Sequence, residues 1–146
     1  MAYEFKIIQR VEFCDTDMAG IVHYANFFRY MDATEHAFFR SLGFSIWTQQ
    51  VEPPVGWPRV RAQCDFKQPL RFEDEVEVHL LVSEKKAKSL SYIFKFHKVG
   101  ATPAVEIARG QVTAVCVTAQ QGRMRAAAIP KAVADKIEVA PLELLA

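Results

Sequence analysis

The sequence is short of the residues that build loop-rich, disulfide-bonded or metal-held scaffolds. Only 6 of its 146 residues are glycine and only 3 are cysteine. Cys14, Cys64 and Cys116 are odd in number and widely spaced, with no CxxC pair, which fits buried thiols in a reducing compartment rather than a disulfide framework. Charge of one sign is lacking as well. Against 17 Asp plus Glu stand 18 Lys plus Arg, a formal net charge of +1, so the basic excess of a dedicated nucleic-acid binder is missing. No apolar run approaches the roughly 20 residues of a membrane span, and the opening MAYEFKIIQRVEF carries charges where a secretory signal would be apolar. The expectation is a soluble, cytoplasmic chain without a nucleic-acid partner. The motifs GxxxxGK[ST], GxGxxG, GxSxG and HExxH are all absent, which leaves a nucleotide loop, a nucleophile elbow and a zincin site without support.

What is present is an ordinary globular composition, 51% hydrophobic and 24% charged. The length suits one core, and a single domain over residues 1–146 is expected. Phenylalanine is abundant at 11 residues, which points to an aromatic core or an apolar groove.

Periodicity gives the order of elements. Phe5, Ile7, Val11 and Phe13 share one parity and Lys6, Arg10 and Glu12 the other, a half-buried strand. From about Asn26 to Leu42 the period changes. Phe27, Met31, Thr34, Phe38 and Leu42 recur every three or four residues, Arg29, Asp32, His36 and Arg40 mark a charged face, and Gly43 supplies a C-terminal cap. After an irregular Gly43 to Pro58 connection, alternating runs at Val60–Phe66, Val76–Val82 and Leu90–Phe96 and a long apolar run at Ala104–Val117 read as strands. Their short connections make neighbours antiparallel. A short strand over Arg123–Ile129 and a terminal helix over Pro130–Ile137 complete the reading. The fold class is α+β, one long helix on a five- to six-stranded antiparallel sheet. The sheet's other face needs cover, for which a second copy of the chain is the obvious candidate.

The informative stretch is FCDTDMAGIVHYANFF, residues 13–28. If extended geometry continues past the first strand, Asp15 and Asp17 lie on one side of the chain at i and i+2. Two carboxylates so close would raise one pKa and suit acid/base work. The helix that begins after His23 aims unpaired N–H groups back at that turn, where they could polarise a carbonyl oxygen. The competing reading makes the aspartates a cap and a turn former. A metal held by Asp15, Asp17 and His23 finds no further His or Cys at ligand spacing. His36, His79 and His97 are expected to be solvated.

The run DTDMAGIVHYANFFRYMD, residues 15–32, resembles the signature of the hot-dog fold acyl-CoA thioesterases, the group that contains 4-hydroxybenzoyl-CoA thioesterase. The resemblance extends through the element order from Phe5 to about Val117. It implies a homodimer whose sheets join edge to edge, often paired into a homotetramer, with active sites at the dimer interface. It makes Asp17 the carboxylate that attacks an acyl-CoA thioester or activates water. Tyr24 becomes the donor whose backbone N–H meets the thioester oxygen, Asp15 is structural, and Gly20, His23 and Asn26 belong to the substrate-binding turn. Many members have Tyr-His where this chain has His23-Tyr24, and the swap resembles the aromatic-Tyr pair of the 4-hydroxybenzoyl branch. The turn SEKKAKS, residues 83–89, matches a hairpin that touches the nucleotide phosphates of coenzyme A, which implicates Lys85, Lys86, Lys88 and Ser89; a solvated charged turn is the alternative. No metal or redox cofactor is expected. Two other functions remain open at this stage: a module that binds acyl-CoA or an acyl carrier without hydrolysis, and a dehydratase or hydratase using His23.

Overall fold

The structure, a computed structural model, describes residues 1–146. Its elements are strand β1 (Glu4–Arg10), a 3-10 turn (Phe13–Asp15), helix α1 (Ala25–Ser41), strands β2 (Arg59–Phe66), β3 (Glu75–Lys85), β4 (Ser89–Lys98), β5 (Glu106–Val115), β6 (Val117–Gln120) and β7 (Arg123–Ala126), and two one-turn helices, α2 (Lys131–Ala134) and α3 (Leu142–Leu145). Five strands form one antiparallel sheet in the order β1-β3-β4-β5-β2, and β6-β7 is a separate hairpin.

Helix α1 lies on one face of that sheet. It buries Phe27, Tyr30, Met31, Thr34, Phe38 and Phe39, the apolar stripe that its sequence carries. Gly43 takes φ +91°, the left-handed value that ends the helix without a Cβ penalty. Opposing the stripe are the inward residues Val76, Val78, Leu80 and Val82 of β3, Leu90, Tyr92, Phe94 and Phe96 of β4, and Ala108, Val112 and Ala114 of β5. The closest approach falls at Gly110 of β5, where a Cβ would collide with Met31. A bulkier residue there must displace the Met31 thioether.

Several expectations change. The first strand ends at Arg10, and the chain folds into the 3-10 turn instead of continuing to Phe13, which is 76% exposed. The long run after Ala104 breaks at Cys116, whose N–H turns to the carbonyl of Lys88, so β5 and β6 are separate strands. The terminal helix shrinks to one turn at α2. His79, expected in solvent, is largely buried and bonds Glu4 at 2.7 Å; desolvation lowers its pKa.

Both outer strands of the sheet, β1 and β2, have a neighbour on one side only. Just before β1, Ala2 bridges Ile137 and exchanges backbone hydrogen bonds with Lys136 and Glu138. Strand β2 has β5 on one side and nothing on the other, and its residues are exposed or half-buried throughout, Val60 at 63%.

Candidate active site

The turn between β1 and α1 is organised around Asp15. Because the backbone curls at residues 13–15, Asp15 points inward, 6% exposed, while Asp17 points out to solvent. The two carboxylates therefore do not share one side of the chain. The Asp15 carboxylate accepts the Tyr30 hydroxyl at 2.8 Å and the Glu12 N–H at 2.9 Å. Its carbonyl accepts the His23 N–H at 2.9 Å and the Asn26 side-chain amide at 2.8 Å. A buried ionisable group so fully bonded is held as structure.

Asp17 opens a tight turn. Its N–H donates to the Ile21 carbonyl, its carbonyl accepts the Gly20 N–H, and its Oδ1 accepts the Ala19 N–H, each at 2.9 Å. Gly20 closes the turn at φ +78°. Oδ2 of Asp17 has no partner in the chain. Val22 N–H then donates to the Leu70 carbonyl at 2.8 Å, and Ile21 bridges Arg71, so the segment that follows β2 lies against the Asp17 turn.

Between the two runs a cleft of about 500 Å³, lined by Asp17, Ile21, Val22, Tyr24, Phe27, Phe66, Lys67, Gln68, Pro69 and Leu70. Its wall is aromatic: Phe66 meets Phe27 at 5.1 Å and Tyr24 at 6.5 Å, both edge to face. On the far side of the Asp17 turn a second basin of about 540 Å³ is bordered by Phe13, Met18, Gly20 and Phe72. Asp17 stands between them. At the head of α1 the first orphan amides are Tyr24 and Ala25. Ala25 N–H donates to Nδ1 of His23 at 3.2 Å, whereas Tyr24 N–H donates to no group in the chain. The cleft is thus lined by Asp17, whose Oδ2 is free, and by Tyr24, whose amide at the helix start is unpaired; a free carboxylate oxygen and an unpaired amide are the two elements that an attack on a carbonyl requires.

The other expected site residues fall elsewhere. His23 caps the helix through Nδ1 and stacks on Tyr24 at 4.7 Å. Asn26 is buried, with its amide on Asp15 and its Oδ1 accepting Arg29. Lys85 is engaged in the fold, its Nζ donating to the Ala134 and Ile137 carbonyls at 2.6 and 2.7 Å, which removes it from the basic cluster. Lys86 pairs with Glu84 at 3.4 Å, and Lys86, Lys88 and Ser89 form the β3-β4 turn. Register places that turn at the Arg59 end of β2 and the cleft at its Phe66 end, about 20 Å apart along the strands. The sequence reading missed Phe66, Lys67, Gln68, Pro69 and Leu70. The available signal was Pro69, which stops a strand at a point where the chain must run irregularly beside something.

A long helix wrapped by this sheet is the hot-dog fold, and the molecule is a thioester hydrolase of that fold. The chain belongs to the thioesterase-like superfamily, whose family profile matches residues 11–137. It is similar to 4-hydroxybenzoyl-CoA thioesterase from Pseudomonas sp. (strain CBS-3), 29% identical over 144 residues covering 95% of this chain and 99% of that protein. Among solved structures it resembles BH1999 gentisyl-coenzyme A thioesterase, at 35% identity, TM-score 0.76, and 89% and 99% coverage of the two chains. It also resembles an Asp-to-Asn mutant of 4-hydroxybenzoyl CoA thioesterase complexed with 4-hydroxybenzoyl CoA, at 26% identity, TM-score 0.83, and 92% and 98% coverage. A shorter match, 38% identity over 76 residues to a protein of Aquifex aeolicus (strain VF5), spans 59% of that relative.

Proposed function

We propose that the protein hydrolyses an acyl-CoA thioester to a carboxylic acid and coenzyme A, with Asp17 as the reacting carboxylate and the Tyr24 N–H as the oxyanion donor. The observation that carries this is that Asp17 and Tyr24, whose amide is unpaired, line one apolar cleft. The thioester oxygen accepts from Tyr24 N–H, and charge that builds on it in the transition state is met by an amide already fixed by the helix. Asp17 either adds to the carbonyl carbon, expelling the thiolate and leaving an anhydride that water cleaves, or takes a proton from water as it adds, and the thiolate leaves with that proton. Neither route calls on a metal or redox cofactor, because the thioester is already activated. In support, a relative bearing an Asp-to-Asn substitution holds its CoA thioester.

The bare β2 edge supports a dimer formed by antiparallel pairing of β2 with its copy. Such pairing sets the Arg59 end of one strand beside the Phe66 end of the other. The Lys86, Lys88 and Ser89 turn of the second copy then comes to within on the order of 15 Å of the first cleft, three strand spacings away. That is a span which the pantetheine arm and nucleotide of coenzyme A can bridge.

A panel of acyl-CoA substrates with free thiol detected tests the reading. Wild-type protein should release thiol, and Asp17→Asn should keep its fold and lose about 10³-fold or more in kcat. Undiminished turnover by Asp17→Asn would overturn the assignment. Saturable acyl-CoA binding without thiol release would show a binding module instead, and hydration of an enoyl-CoA would show a hydratase.

A further inference from the structure

Asp17 itself is loosely held, by local backbone bonds and one Ala19 N–H. What fixes it relative to Tyr24 lies one layer deeper. The turn bearing Asp17 leaves residue 15 and returns at residue 23, and Asp15 is bonded at both ends of that path. Its carbonyl receives the N–H of His23, the residue before Tyr24, and the amide of Asn26 in the first turn of α1. Its carboxylate receives the hydroxyl of Tyr30, one turn further along the same helix. The bonds from Asp17 to Ile21 and from Thr16 to Val22 lie inside the turn and travel with it, while Val22 to Leu70 and Ile21 to Arg71 tie it to the segment after β2 and not to the helix that carries Tyr24.

We infer that Asp15 and Tyr30 are positioning residues for the hydrolysis, forming a buried strut that sets the Asp17 carboxylate against the Tyr24 amide. The inference rests on the reading of Asp17 and Tyr24 given above. Tyr30 is 4% exposed and Asp15 6%, so neither exchanges its partner for water. Burial and the Asp15 contact push the Tyr30 phenol well above its usual range, so it stays a donor at every working pH. Without the hydroxyl, the buried carboxylate keeps only the Glu12 N–H and a weak Cys14 thiol contact at 3.9 Å. A charge so poorly bonded turns toward solvent and draws the 12–16 segment with it. The reacting pair then loses alignment while the acyl-binding wall of Phe27, Phe66 and Leu70 is untouched. Displacements of about 1 Å can lower a rate by about 100-fold.

The strut predicts a split that a merely structural role would not give. Tyr30→Phe, assayed well below its melting temperature, should lose 10- to 100-fold in kcat, with KM for acyl-CoA within twofold of wild type. The same change in an Asp17→Asn background should cause no further loss, since there is no carboxylate left to aim. If Tyr30→Phe does not fold, Asn26→Ala cuts the strut from its other end and should give the same split. A folded Tyr30→Phe or Asn26→Ala enzyme with kcat within twofold of wild type, or losses additive with Asp17→Asn, would overturn the strut while leaving the role of Asp17 standing. Full activity of Asp17→Asn alone would remove the parent reading and the strut together.

Discussion

Two carboxylate sites, one in the turn before helix α1 and one within it, are built in opposite ways. In the turn, Asp17 is exposed, half-bonded and beside an apolar cleft. Nearly three turns into the helix, Glu35 is 2% exposed and bound to Arg59 of β2, whose Nη2 also reaches Oδ1 of Asp32 at 3.0 Å, with Nε2 of His36 on the same oxygen at 3.3 Å. Burial raises the Glu35 pKa to about 7 against the pull of Arg59, and its Oε2 and the nearby Tyr92 hydroxyl lack partners. The first site leaves a charge free to react. The second spends its charge on joining the helix to the edge strand. The titration anomaly at Glu35 sits where the fold is tied, whereas the carboxylate proposed to react is marked by its free oxygen.

If the contrast holds, substitutions at the two places separate cleanly into activity and stability. The largest effect is the loss at Asp17→Asn described above, with no change in melting temperature. Next comes Arg59→Met, which strands Glu35. It should cost about 3 kcal/mol at pH 8, as breaking a buried pair does, and less at pH 5, where Glu35 can hold a proton; denaturant titrations at the two pH values measure the difference. Wild-type stability should itself fall as pH rises. A carboxyl whose pKa is lifted from 4.5 to about 7 on folding stabilises fully below 4.5, and that contribution is lost through 7, at no more than about 1.4 kcal/mol per pH unit. Glu35→Gln should flatten the melting temperature across that window, and a slope retained in the variant would assign it to other groups. The smallest effect belongs to Lys86→Ala with Lys88→Ala, which should raise KM for acyl-CoA about two- to fivefold, as exposed ion pairs do. The variant should leave KM unchanged for a truncated thioester without the nucleotide.

Much of this architecture was legible in local pattern. The 3.6-residue stripe of α1, its Gly43 cap and the alternation of β3 and β4 follow from burial of one face, and the structure realises each within one to three residues. The pairing of Asp15 with Tyr30 was not legible, because the apolar alternation runs on through Phe13 while the 3-10 turn at Phe13–Asp15 is set by local three-residue bonds and by a Tyr30 contact 15 residues away that no period records. Glu35 follows Thr34 on a stripe that reads as apolar, and nothing in the helix announces Arg59, 24 residues away. The cleft wall at Phe66–Leu70 was hidden for the same reason: it becomes a wall only when Val22 meets Leu70.

The open flank of β2 has a consequence for handling the protein. A strand with one row of unsatisfied N–H and C=O groups and exposed Val60 and Phe66 is a template for any extended chain. In the proposed β2-to-β2 dimer that template disappears and unfolding becomes coupled to separation, so the melting temperature should climb with protein concentration. Dilution would then silence the enzyme before it unfolds, and crowded, partly folded chains would meet first along this strand.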